Sequence, residues 1–142
     1  MLVKDCMTPN PFIVGPDEDV KNVFSLLNKH RFRQVPVVKD GKLVGIVTDR
    51  DLRAAVMEEN HLVVADIMSS NPVTVSEDAA VEEAARIIRE RKFGSLPVVS
   101  KTGELIGIIT VTDILNLLKS NDVNLPEDWD LYDSIDSHDD SY

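Results

Sequence analysis

Gly45–Asp51 reads GIVTDRD, and Gly107–Asp113 reads GIITVTD. Each word joins an apolar stretch to the start of a helix, and the similarity runs far outside it. Met7, Pro11, Val14, Asp17, Val20, Phe32, Pro36, Val37 and Val38 recur 61 positions later as Met68, Pro72, Val75, Asp78, Val81, Phe93, Pro97, Val98 and Val99. One inserted residue near Lys101–Thr102 moves the spacing to 62, which pairs Gly45, Thr48 and Asp51 with Gly107, Thr110 and Asp113. A duplicated unit of about 60 residues usually means two copies packed on one another. Alone, such a unit is marginal, so the halves are expected to share a core.

Hydrophobic period places the elements around the repeated word. Val3–Met7 and Val64–Met68 each suit one helical turn, and Phe12–Val14 and Val73–Val75 suit short strands. Pro16 with Asp17, and Ser76 with Asp78, supply helix-start chemistry. Val20, Val23, Phe24 and Leu27 then fall at helical spacing, as do Val81, Ala84, Ala85 and Ile88. Strands are expected over Gln34–Val38 and Leu43–Thr48, with Asp40-Gly41 as a hairpin turn, and over Ser95–Val99 and Glu104–Thr110. Closing helices follow at about Asp49–Glu58 and Val111–Lys119. The reading is an α/β (α+β) fold of two βαββα repeats. Repeat 1 spans residues 1–61, repeat 2 spans 62–120, and 121–142 form an acidic tail, with Asn60–Val63 as a short linker.

The net charge of −10 is unevenly spread. Residues 121–142 hold eight acids and neither Lys nor Arg, which leaves the rest of the 142-residue chain nearly neutral. The tail reads either as a solvated extension or as a docking segment carrying Trp129, Leu131, Tyr132 and Ile135. An acidic chain with no broad basic stripe disfavours nucleic acid. No apolar run reaches the roughly 18 residues that span a membrane. Lys4 and Asp5 interrupt any signal-peptide core, so a cytoplasmic location is expected. Cys6 is the single cysteine, read as a small apolar residue in a reducing compartment.

The chemistry concentrates at the two strand-to-helix words. A helix N-terminus offers unpaired N–H groups and partial positive charge to an anion. A Thr hydroxyl beside it can donate to phosphate, and an Asp one turn on can accept both hydroxyls of a ribose. Thr112 adds a hydroxyl in the second copy, where the first has Arg50. Gly45 and Gly107 allow a backbone or a flat ring to approach closely. Thr-x-x-Asp is also a helix-capping pattern, and both readings stand at this point. His30, His61 and His138 are scattered, and neither a nucleophile–base spacing, a metal motif nor a Walker-type loop occurs, so no catalytic or metal site is expected.

Residues 3–119 resemble a pair of CBS domains, the tandem called a Bateman module. The resemblance rests on DCMTPNP and DIMSSNP, on RFRQVPVV and KFGSLPVV, and on the GIVTDRD and GIITVTD closures. It implies a pseudo-twofold pair with two clefts that take adenosine compounds: AMP or ATP foremost, then ADP, S-adenosylmethionine or NAD. It assigns Thr48, Arg50 and Asp51 to one cleft, with Phe93, Gly94 and Val73 of the other repeat on the adenine side. It assigns Thr110, Thr112 and Asp113 to the second, with Phe32, Arg33 and Phe12 opposite. The implied role is regulatory rather than enzymatic: a homodimer that senses energy or metabolite state, needs no cofactor and acts on an unidentified effector protein. The alternative is a ligand-free interaction module working through its dimer surface and tail.

Overall fold

The computed structural model describes residues 1–58 and 60–119. The tail and its aromatic residues lie outside them. Along the described chain run α1 (Val3–Cys6), β1 (Thr8–Pro9), α2 (Val20–His30), β2 (Gln34–Lys39), β3 (Lys42–Thr48) and α3 (Asp49–Ala55). The second copy follows with α4 (Val64–Ile67), β4 (Ser69–Ser70), β5 (Val75–Ser76), α5 (Val81–Arg91), β6 (Ser95–Val99), β7 (Leu105–Thr110) and α6 (Val111–Lys119). This is the mixed α/β order expected from the sequence. The expected strands after the prolines shrink. Val14 makes only an isolated parallel bridge to Val37, and Val73 stands before β5 rather than in it.

The chain divides into two units that cut across the 1–61 and 62–120 repeats. Among the described residues one holds Met1–Pro11 and 73–119; the other holds Phe12–Pro72. Each repeat's opening segment is therefore built into the unit that carries the other repeat's helices. In the first unit the sheet order is β1-β7-β6-β5, and β1 runs antiparallel to β7 with Thr8 opposite Ile108 and Pro9 opposite Gly107. In the second the order is β2-β3-β4, with Gly45 opposite Ser70 and Ile46 opposite Ser69.

Two glycines permit this. A Cβ on Gly107 would sit 2.6 Å from the Met7 sulfur and 2.9 Å from the Thr8 carbonyl oxygen. A Cβ on Gly45 would meet Met68 and the Ser69 carbonyl at the same 2.6 and 2.9 Å. The partner at these glycines is thus a backbone, one of the two options the sequence allowed.

The opening segments also cap the long helices. Pro16, Asp17, Ser76 and Asp78 do not. The N-cap residues of α2 and α5 are Asp19 and Ala80, and neither makes a side-chain cap bond. Instead the Val20 N–H donates to the Leu62 carbonyl and the Val81 N–H to the Met1 carbonyl. Ser76 Oγ accepts the Asp78 N–H in a local turn before α5. Both helices end on a left-handed residue, Arg31 at φ 58° and Lys92 at φ 58°.

Each unit has its own core. In the Phe12–Pro72 unit, Val20, Val23 and Leu27 of α2 pack with Val35, Val37, Val47, Leu52 and Val64. In the other, Val81, Ala84, Ala85 and Ile88 of α5 are fully buried, as are Leu96, Val98, Ile109 and Ile114. Asp40 (φ 52°) and Gly41 (φ 79°) form the hairpin turn with both central residues left-handed, as the sequence predicts.

Candidate functional site

Both closing words form the same local structure. In the Met1–Pro11/73–119 unit, the Asp113 N–H donates to Thr110 Oγ1 at 3.1 Å and the Thr110 N–H donates to Asp113 Oδ2 at 2.9 Å. In the Phe12–Pro72 unit, the Asp51 N–H donates to Thr48 Oγ1 at 3.1 Å and the Thr48 N–H to Asp51 Oδ2 at 3.4 Å. These are reciprocal capping boxes, formed with no ligand needed. The next residue ties each helix start to the strand before it: Val111 N–H donates to the Gly94 carbonyl, and Asp49 N–H to the Arg33 carbonyl. Arg33 and Gly94 thus lie beside the helix starts of their own units.

The surroundings differ. Thr8, delivered by β1, donates its hydroxyl to the Asp113 carboxylate at 3.3 and 3.4 Å. Its counterpart Ser69 makes no such bond to Asp51 among the described residues. Beside Asp51 stands Asp49, whose carboxylate is paired with Arg53 one turn along α3. Thr112 takes the position of Arg50 and is exposed.

The two aromatic positions also part company. Phe12 and Phe32, each 38% exposed, come together with ring centroids 5.4 Å apart. His30 joins them, stacked on Phe32 at 5.4 Å. Sequence reasoning brought Phe12 and Phe32 to one wall but left His30 out; its place at the end of α2, two residues before Phe32, was the available signal. At the matching positions Val73 is half-buried and Phe93 is buried. Phe93 thus packs in the core of its unit.

A groove of about 440 Å³ in the Phe12–Pro72 unit runs along the Asp51, Ala54, Ala55 and Glu58 face of α3 toward Asn60, Leu62 and Ile67. It presents two carboxylates over an apolar floor. Glu58 and Asn60 were not singled out in the sequence, because they stand beyond the repeated word.

Cys6 is half-buried, and its thiol donates toward the Val3 carbonyl at 3.6 Å. Burial first, then the nearby Asp113 and Asp5 carboxylates, push its pKa up to about 11. It is a protonated thiol at neutral pH, and Ile67 occupies the matching position in the other copy. Among the described residues no three His, Cys, Asp or Glu side chains are placed to hold a metal ion. None of the described helices is long and apolar enough to cross a membrane.

The family model for the CBS domain matches residues 3–58 and again 64–120. A CBS domain-containing protein of Dictyostelium discoideum is 39% identical over 132 residues, covering 83% of this chain and 91% of the relative. The chain is also 39% identical to inosine-5'-monophosphate dehydrogenase of Korarchaeum cryptofilum, but spans only 22% of that enzyme's length. Among solved structures, CBSX2 in complex with AMP superposes with a TM-score of 0.78 at 34% identity, covering 86% of this chain and 98% of that one. The CBS domain pair of protein MJ0100, in complex with 5'-methylthioadenosine and S-adenosyl-L-methionine, gives 0.73 at 30% identity over 83% and 99%.

Proposed function

Because this chain belongs to the CBS-domain family, with two copies of the domain, we propose that it is a regulatory module that binds an adenosine compound and passes its occupancy to a partner protein. The observation that carries the reading is the pair of capped helix starts. In each, a carboxylate is held one turn from a hydroxyl at the start of a helix. A ribose can exchange for the cap at small cost, since its two hydroxyls offer the carboxylate the donors it already uses. Thr48, Arg50 and Asp51 would hold one ligand, and Thr110, Thr112 and Asp113 the other. Phe12, Phe32, Arg33, Val73, Phe93 and Gly94 are the proposed adenine-side residues. CBSX2 with AMP and the MJ0100 pair with S-adenosylmethionine support the ligand class. The dehydrogenase activity of the partly matched relatives is not carried over, because the chain spans only 22% of that enzyme's length.

A thermal-shift screen of AMP, ADP, ATP, S-adenosylmethionine and NAD tests this. A ligand at 100 times its dissociation constant adds ~2.7 kcal/mol to stability. No shift with any of the five, in protein freed of bound small molecules, rejects the proposal. The same observation favours one second reading. Both carboxylates are already engaged as caps, so an unliganded interaction module would show the same geometry. In either reading a homodimer in the cytoplasm is proposed. Light scattering then gives twice the 15.8 kDa chain mass.

A further inference from the structure

We propose that Ser95 is a ligand-binding residue: its hydroxyl bonds to the sugar of a nucleoside held at the start of α6. The inference rests on the nucleotide reading above and names a contact that reading lacks. Antiparallel register sets Ser95 of β6 directly opposite Thr110 of β7. Residues opposite one another on antiparallel strands point to the same face, with Cβ atoms about 5 Å apart. Thr110 is the capping residue of α6, so the Ser95 hydroxyl is aimed at the Thr110–Asp113 site.

Ser95 is 3% exposed, and its Oγ is buried without a hydrogen-bond partner among the described residues. A hydroxyl taken from water and left unbonded costs stability, and a fold keeps few of them. Neighbouring polar groups are already committed. Thr110 Oγ1 takes the Asp113 N–H, Thr8 Oγ1 donates to the Asp113 carboxylate, and the Val111 N–H goes to the Gly94 carbonyl. In the other unit the residue opposite Thr48 is Gln34, half-buried and with no orphaned atom. The orphaned hydroxyl belongs to the Asp113 site; the orphaned atom near Asp51 is a carboxylate oxygen, Asp49 Oδ1.

The chemistry of the cluster selects the ligand group. Thr8, Ser95 and Thr110 contribute hydroxyls and Asp113 a carboxylate, with no cation among the four. A negative charge beside Asp113 would be repelled. A neutral ring bearing hydroxyls fits, since it donates to the carboxylate and accepts from Ser95.

Calorimetric titration of full-length wild type and Ser95→Ala with adenosine and with AMP tests the assignment. The variant is expected to bind both probes about ten-fold more weakly, the loss of one ligand hydrogen bond. Its ligand-free melting temperature should be unchanged or higher, because an orphaned hydroxyl has been removed. Equal affinity of wild type and variant for both probes overturns the proposal. So does a loss confined to AMP, which would place the contact on phosphate. A fall in the ligand-free melting temperature also overturns it, by showing that the hydroxyl is bonded within the fold. If wild type binds neither probe, the nucleotide reading itself fails, and the two failures are distinguished.

Discussion

The unit around Asp113 and the unit around Asp51 carry the same reciprocal cap in unlike settings. Asp113 receives a hydroxyl from Thr8 and sits 2.9 Å from its capping N–H, and its capping residue Thr110 stands opposite the buried, unbonded Ser95. Asp51 is held at 3.4 Å, stands beside Asp49 and opens onto a groove with Glu58. One unit offers hydroxyls around a single carboxylate; the other gathers three carboxylates and an exposed aromatic cluster of Phe12, His30 and Phe32. Duplication preserved what holds the backbone and let the side chains around the two caps diverge. The two sites should then differ in affinity while the two scaffolds fail in the same way.

The largest effects should fall on the shared scaffold. Gly107→Val and Gly45→Val each drive a side chain into a methionine sulfur and a backbone carbonyl. Each should cost about 2–3 kcal/mol by urea unfolding, near the upper end for overpacking. Nearly equal losses are expected, and a tolerated substitution at one glycine would break the equivalence of the exchanged strands.

Next comes the difference between the carboxylates. Asp113→Ala should weaken nucleotide binding ten-fold or more, since hydrogen bonds to charged groups are worth about 1.5–3 kcal/mol each. Asp51→Ala should weaken it less. Both should lower stability by about 1 kcal/mol through the lost cap. Affinities equal to wild type in both variants would return the motif to a purely capping role.

A third test uses Cys6, which only the Asp113 unit has. With its pKa raised to about 11, the folded thiol carries less thiolate at pH 8.5 than the unfolded chain, whose value lies near 9.0. Alkylation by iodoacetamide should be about ten-fold slower in native protein than in urea. Equal rates would show the thiol to be exposed and the Asp113 surroundings to be looser than described.

The smallest expected effect separates Thr8 from Ser69. Thr8→Ala should cost about 0.5 kcal/mol, because its bonds to Asp113 are long and exposed. Ser69→Ala should cost nothing measurable. A reversed order would mean that β4, rather than β1, supports its carboxylate.

Much of this was legible in the chain. The amphipathic stripes of α2 and α5, the Asp40-Gly41 hairpin and the closing words follow from local chemistry, and they fold as local chemistry dictates. What escaped sequence reading is non-local. Thr8–Pro9 and Ser69–Ser70 join their sheets through backbone bonds and leave their side chains exposed, so no alternating pattern marks them. The caps on α2 and α5 come from the carbonyls of Leu62 and Met1, and a carbonyl has no residue signature. For that reason Pro16, Asp17, Ser76 and Asp78 read as helix starts although the first helical N–H groups are satisfied elsewhere. At the site, Thr48, Asp51, Thr110 and Asp113 were readable because capping and ribose binding use the same spacing. Ser95 was not, since a serine opening a strand looks ordinary until the register sets it opposite Thr110.

The most direct test of the central claim is an amide chemical-shift titration of the full chain with AMP. The account predicts saturable shifts at Arg50, Asp51, Thr112 and Asp113, with the α6 pair saturating at lower AMP than the α3 pair. Unchanged resonances at all four, with AMP either unbound or perturbing other residues, would contradict it.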